Sequence, residues 1–254
     1  MSGAVRPDAI LFDAILFDLD GTLVDSRADL AHAVNAALVK VNLPQRSIEE
    51  ITGFIGEGSR RLLEKAVAPH QDRFAEAHAA WEEAYAAGLL QRTTLYPGMR
   101  ELVDELAATA QLAVHTNKPG KYARPILEGL GVSARFARVL GGGDGSPNKP
   151  SPEGVQRLLA DLRATADKAV YVGDSSIDAQ TATAAGVRFV GVAWGYGGED
   201  QLRGAGATRI AQTAEELEEY LAPSRKPSLA ERGAGGSGNS SAGTQGGKGG
   251  GSAR

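Results

Sequence analysis

Asp18 and Asp20 stand one residue apart at the end of the apolar run Ile15-Leu16-Phe17, and Gly21 follows at once. In an extended chain, side chains at i and i+2 face the same way, so both carboxyls can address one ligand while Leu19 turns inward. Two carboxylates so placed, followed by a glycine turn, form a phosphoryl-transfer signature. Other polar residues close apolar runs in the same manner. Leu-Ala-Val-His leads to Thr116, Arg-Val-Leu to the loop carrying Lys149, and Tyr-Val-Gly to Asp174, with Asp178 four residues on.

These runs alternate with helical patterns. After Pro97 and Gly98 we expect helices near 99–109, 120–130, 152–163 and 178–185, and strands at 111–116, near 140, at 169–172 and at 187–192. Such alternation predicts an α/β fold with a parallel, Rossmann-like sheet and helices on both faces. Open sheets of this kind bind ligands outside the carboxyl ends of their strands, so residues more than a hundred positions apart should meet in one crevice. There Asp18, Asp20, Asp174 and a phosphate dianion would crowd together, and like charges at ~4 Å repel by about 4 kcal/mol at an effective dielectric near 20. One lysine does not offset this. A hard divalent cation with oxygen ligands does, which predicts Mg²⁺. For Asp178, capping the following helix and supporting the metal are both open.

From 26 to 94 the pattern is helical, with stripes through Leu30, Val34 and Leu38, through Leu62, Leu63 and Ala66, and through Phe74, Trp81 and Tyr85. We expect a small bundle in which these aromatics pack as core, inserted as a cap into an α/β core at 9–25 and 95–222. Ser26 with Asp29, and Ser47 with Glu50, stand at capping-box spacing. The pentapeptide Ala-Ile-Leu-Phe-Asp occurs at 9–13 and again at 14–18, and only the second copy continues into Asp-Gly-Thr. Asp13 is expected at strand entry. Residues 223–254 are rich in Gly, Ser and Ala and are expected to be disordered.

Composition narrows the function classes. With 254 residues, 42% of them hydrophobic, the chain can bury a large core, and a net charge of -4 gives no general attraction to nucleic acid. There is no cysteine, so thiol nucleophiles and thiolate metal sites are excluded. No segment approaches membrane-spanning length and the N-terminal stretch is interrupted by Asp8, Asp13 and Asp18. We expect a soluble, cytoplasmic protein with a small phosphorylated substrate and neither membrane nor nucleic-acid partners. The sequence leaves the oligomeric state open.

As a set, FDLDGT at 17–22, HTNKP at 115–119, NKPSP at 148–152 and GDSSID at 173–178 resemble the four ordered motifs of the haloacid dehalogenase-like hydrolases. The resemblance covers about residues 9–222, and within that superfamily the chain is most like the phosphoglycolate phosphatases. It implies that Asp18 is the nucleophile, forming an aspartyl phosphate, and that Asp20 is the acid and base. It further implies that Thr116 and the Asn117 amide hold phosphate oxygens and that Lys149 orients Asp18 and neutralises charge. Asp174 would ligate Mg²⁺ with Asp18 and the Asp20 carbonyl, and Asp178 would support the metal. The implied reaction is hydrolysis of 2-phosphoglycolate, with a phosphosugar mutase or a pyrophosphatase as alternatives on the same core.

In the inserted region, Gly56-Glu57-Gly58-Ser59-Arg60-Arg61 reads as a glycine-containing turn entering a helix. Helix N-termini favour anions. Arg60 or Arg61 is expected to help recognise the substrate carboxylate, the alternative being two arginines on a solvated helix face. His115, preceding Thr116, is expected to be packed rather than catalytic.

Overall fold

The computed structural model describes residues 12–221. The expected tail at 223–254 and the start of the first pentapeptide copy lie outside the described residues. From β1 (Ala14–Phe17) the chain passes β2 (Val24–Asp25), then α1 (Arg27–Lys40), α2 (Ile48–Thr52), α3 (Ser59–Val67) and α4 (Phe74–Gly88), and returns through β3 (Thr94–Leu95). It continues through α5 (Met99–Leu106), β4 (Gln111–Pro119), α6 (Gly120–Gly129), β5 (Phe136–Gly142), α7 (Glu153–Leu162) and β6 (Ala169–Gly173). The last described elements are α8 (Ser176–Ala185), β7 (Arg188–Val192), α9 (Glu199–Gly204), β8 (Ile210–Ala211) and α10 (Ala214–Leu221).

Among the described residues, six strands form one sheet in the order β5-β4-β1-β6-β7-β8, and every neighbouring pair is parallel. β1 is apolar at all four positions because both of its faces are covered. Ile15 and Phe17 join a core with Met99 and Val103 of α5, Ile126 of α6 and Leu217 of α10. Ala14 and Leu16 join the opposite core with Val155 and Leu158 of α7 and Ala182 of α8. Phe17, the last residue of β1, pairs with Val114 on one side and Val172 on the other, so Asp18 leaves the sheet between β4 and β6. Asp13 is exposed and directly precedes β1.

β2 and β3 run antiparallel, with Val24 opposite Leu95 and Asp25 opposite Thr94, so the chain leaves and re-enters the sheet layer side by side. Between them, α1 to α4 bury a separate apolar cluster that includes Leu30, Val34, Leu63, Trp81 and Tyr85, and Tyr122 of α6 joins it. The Ser47–Glu50 capping box forms as expected. The Ser26–Asp29 box does not, because both side chains have stronger obligations elsewhere. Ser26 donates to Asp20, and buried Asp29 accepts from the Arg92 amide and from the Thr93 amide and hydroxyl, fastening the returning segment beside α1.

The sequence pattern gave no signal for α9, β8 or α10, which follow Gly195, Gly197 and Gly198. Yet Leu217 of α10 is fully buried against the sheet. Leu217→Ala should therefore lower unfolding free energy by about 2–5 kcal/mol in chemical denaturation. A loss below about 0.5 kcal/mol would mean that α10 is an incidental surface helix.

Candidate active site

The strand ends bring Asp18, Asp174 and Asp178 together, with one carboxylate oxygen of each within 4.8 Å of the others. All three are buried, and Lys149 lies among them. Its ammonium is 2.6 Å from Asp178 Oδ1 and 2.8 Å from Asp18 Oδ1. Only the Asp178 contact has hydrogen-bond geometry, which leaves Asp18 Oδ1 ion-paired but without a directed donor. Burial pushes the Asp18 carboxyl up to about 7; Lys149 opposes the shift, while Asp178 and Asp20 add to it. Burial and the charges of Asp178 and Asp18 raise Asp174 to about 8. For Lys149 burial works against the charge, but Asp178 and Asp18 override it and hold the ammonium well above its usual value.

Asp174 is fixed by backbone donors from the segment after β7. Its Oδ2 accepts from the amides of Tyr196 at 2.6 Å and Gly197 at 3.3 Å, and its Oδ1 from the Thr22 hydroxyl at 3.2 Å. Close approach here demands glycine. A Cβ on Gly21, whose φ is +87°, would lie 2.4 Å from Asp174 Oδ2, and one on Gly195 would lie 2.2 Å from Asp174 Cβ. Asp178 caps the helix that follows, completing a capping box with Ser175 at the start of α8, and it also pairs with Lys149.

Asp20 faces a different set of partners. Lys118 Nζ donates to both of its oxygens at 2.9 Å, and Ser26 Oγ donates to Oδ1 at 2.5 Å. The Tyr196 hydroxyl in turn accepts from the Ser26 amide at 2.9 Å. Burial alone would lower the Lys118 ammonium, but Asp20 and Tyr85 hold it above the usual lysine value. The Asp20 side chain is thus outside the carboxylate cluster. Lys118, Thr22 and Tyr196 have no individual role in the sequence reading, and Ser26 has only that of a helix cap. Lys118 was findable, since it lies two residues beyond Thr116 at the end of a strand, the spacing that puts two side chains on one side.

Thr116 is buried beside Asp18, and its Oγ1 accepts from the Lys118 amide. The Asn117 side chain donates to Gly56 O at 2.9 Å and Lys149 O at 3.2 Å, and accepts from the Lys149 amide at 2.7 Å. It joins two loops and has no side-chain N–H left for an anionic ligand, so only its backbone amide can donate to one. His115 packs against Gly154 and beside Tyr171, and burial followed by the Lys149 charge lowers it to about 3. Arg60 and Arg61 lie on the exposed face of α3, and both pair with Glu64 at 2.8 Å. Arg61 lines the open crevice with Lys65, whereas Arg60 borders a neighbouring groove near Lys121.

The sequence profile of the haloacid dehalogenase-like hydrolases matches residues 15–192, a span that holds every strand-end residue just described. The chain belongs to the haloacid dehalogenase-like hydrolase family. Among its relatives, a phosphoglycolate phosphatase of Pectobacterium atrosepticum is 36% identical over 188 residues, covering 72% of this chain and 80% of the relative. One from Cereibacter sphaeroides is 38% identical over 188 residues, covering 72% and 85%. A crystal structure from Haemophilus somnus, described as a predicted phosphoglycolate phosphatase, superposes with a TM-score of 0.78 at 33% identity, covering 82% of this chain and 97% of that one. No helix among the described residues of this hydrolase is long and apolar enough to cross a membrane.

The raised carboxyls set a pH dependence. In the unfolded chain these groups ionise near 3.8, whereas folded Asp18 and Asp174 keep their protons to about 7 and about 8. The folded state therefore binds more protons across that window, and its stability falls as pH rises through it. His115, buried and neutral, acts in the opposite sense, but only below its ordinary value of 6.5. Thermal melts after dialysis against EDTA should thus show the melting temperature declining from pH 6.5 to 8. Added Mg²⁺ should raise it more at pH 8 than at pH 6. A flat profile, or an equal gain at both pH values, would contradict the electrostatic account.

Proposed function

We propose that the chain is a Mg²⁺-dependent phosphatase that hydrolyses a small phosphomonoester, 2-phosphoglycolate in first place, through an aspartyl phosphate at Asp18. The observation that carries this reading is the convergence of Asp18, Asp20, Asp174 and Lys149 on one crevice, from strand ends up to 156 residues apart. The names of the relatives support the substrate. We assign residues 9–25 and 95–222 to a catalytic core and 26–94 to a cap whose residues line the crevice.

The donor set fits a hard dication: three buried carboxylates, two of them pushed up by burial and by the charge of neighbouring carboxylates, Asp178 above all. Asp18, Asp174 and the Asp20 carbonyl would hold Mg²⁺, with Asp178 in support. When bound, the ion neutralises the crowded carboxylates and the phosphate.

In the proposed reaction Asp18 attacks phosphorus as the bond to the leaving oxygen breaks, and that oxygen takes a proton from Asp20. Asp20, now a carboxylate, removes a proton from water, which attacks phosphorus and restores the Asp18 carboxylate. Lys118 and Ser26 keep Asp20 pointed at this path. Lys149 orients Asp18 and, with the Thr116 hydroxyl and the Asn117 amide, neutralises charge on the transferring group. At the mouth, Arg61 and, more remotely, Arg60 draw the anionic substrate inward, an attraction that salt screens.

A phosphate-release screen over phosphoglycolate, pyrophosphate, sugar phosphates and nucleotides, with and without Mg²⁺, tests the assignment. Phosphoglycolate should lead and release should require the metal; sugar-phosphate interconversion without release would make the chain a mutase. Asp18→Asn should reduce turnover by more than about a thousandfold with the melting curve retained. Acid-quenched wild type, but not this variant, should carry label from radiolabelled substrate. Replacing Arg60 and Arg61 together by alanine should lower kcat/KM by about two- to tenfold at low ionic strength. That deficit should disappear in high salt, and a deficit independent of salt would assign these arginines direct substrate contacts.

A further inference from the structure

A cavity of about 40 Å³ lies between the helical insertion and β4, directly beside Asp18. Asp18, Asp20 and Lys118 border it on one side, and Leu62, Trp81 and Tyr85 on the other. Trp81 and Tyr85 are each 1% exposed, and neither the Trp81 indole nitrogen nor the Tyr85 hydroxyl has a hydrogen-bond partner. Leaving such groups buried and unpaired is costly, and an indole N–H can only donate. Both rings are held firmly. They stack at 5.1 Å, and Tyr122 packs edge-on to Trp81 at 5.7 Å and to Tyr85 at 5.1 Å. Lys118 Nζ sits 5.0 Å from the Tyr85 ring centre, and an ammonium has three N–H donors, of which Asp20 engages two.

We propose that this cavity is the leaving-group subsite and that the Trp81 N–H and the Tyr85 hydroxyl, backed by the Lys118 charge, select a small carboxylate there. The proposal rests on the phosphatase reading and adds to it the residues that choose the substrate. Two unsatisfied donors call for a group with two acceptor atoms, and the third N–H of the Asp20-paired Lys118 can add to them. The volume sets its size, because holding one water takes about 10–15 Å³ of such space and the cavity therefore suits a group of about three heavy atoms, as in a carboxylate. A phosphorylated two-carbon hydroxy acid places its phosphorus at Asp18 and its carboxylate at these donors. The aromatic stripe that packs the insertion thereby has a second use at its polar tips.

The test compares 2-phosphoglycolate with ethyl phosphate, which has a methyl group in place of the carboxylate. Wild type should prefer phosphoglycolate in kcat/KM by at least about a hundredfold, since a site built to hydrogen-bond a group rejects the analogue lacking it. Trp81→Phe and Tyr85→Phe each keep a ring but remove the donor. Each should lower kcat/KM for phosphoglycolate by about tenfold or more, while ethyl phosphate stays within about twofold of wild type. If both substrates fall together, or phosphoglycolate is unaffected in variants whose melting curves match wild type, the proposal is overturned. The wild-type comparison needs no variant to fold. Equal kcat/KM for the two esters would sink the subsite and leave the phosphatase reading intact, whereas no phosphate release from any ester would sink both.

Discussion

A buried ammonium between two buried carboxylates holds the site together. Lys149 sits within ion-pair distance of Asp178 and Asp18, and with Asp174 close by the cluster sets three carboxyls against one ammonium. Removing one member of such an arrangement leaves another uncompensated in a poorly solvated place. The surroundings are built to tolerate this. Backbone amides of Tyr196 and Gly197 hold Asp174, and Ser175 holds the remaining oxygen of Asp178. Two glycines give Asp174 the space it needs. Three carboxyls around one ammonium form a set that could hold a metal ion.

The sheet order makes this concentration possible. β1 lies between β4 and β6, so the residue after β1 is flanked by the ends of both neighbours, and the chain turns away at that point into the helical insertion. The two carboxyls that open the motif are separated electrostatically as well as in sequence. Asp18 faces Lys149 and the acidic cluster, while Asp20 faces Lys118 and Ser26. The two carboxyls thereby have separate surroundings, each with its own lysine.

Much of this was legible in residue order. The unbroken apolar run of Ala14 to Phe17, the alternation of elements after Pro97 and the polar residues closing each apolar run predicted a parallel sheet with one reactive rim. The Ser26–Asp29 spacing misled because spacing alone does not show competing partners: Ser26 is taken by Asp20, and Asp29 by Arg92 and Thr93, more than sixty residues away. Lys118 was passed over because a lysine beside a strand end is ordinarily solvated, and only the fold shows it buried against Asp20. The elements after Gly195 are short and glycine-punctuated, so their pattern was too brief to register. For Trp81 and Tyr85, periodicity announced that the rings are core; where their single polar atoms point is a property of three dimensions.

The Asn117 amide group spans two loops of different origin, Gly56 in the insertion and Lys149 in the sheet layer. A swing of the insertion away from the crevice has to sever the link to Gly56, and it then leaves the hinge side chain attached to the lysine loop alone. Opening the entrance thus costs one of the three hydrogen bonds of a single planar group, whose two bonds to the Lys149 backbone keep the loop of the buried lysine in place.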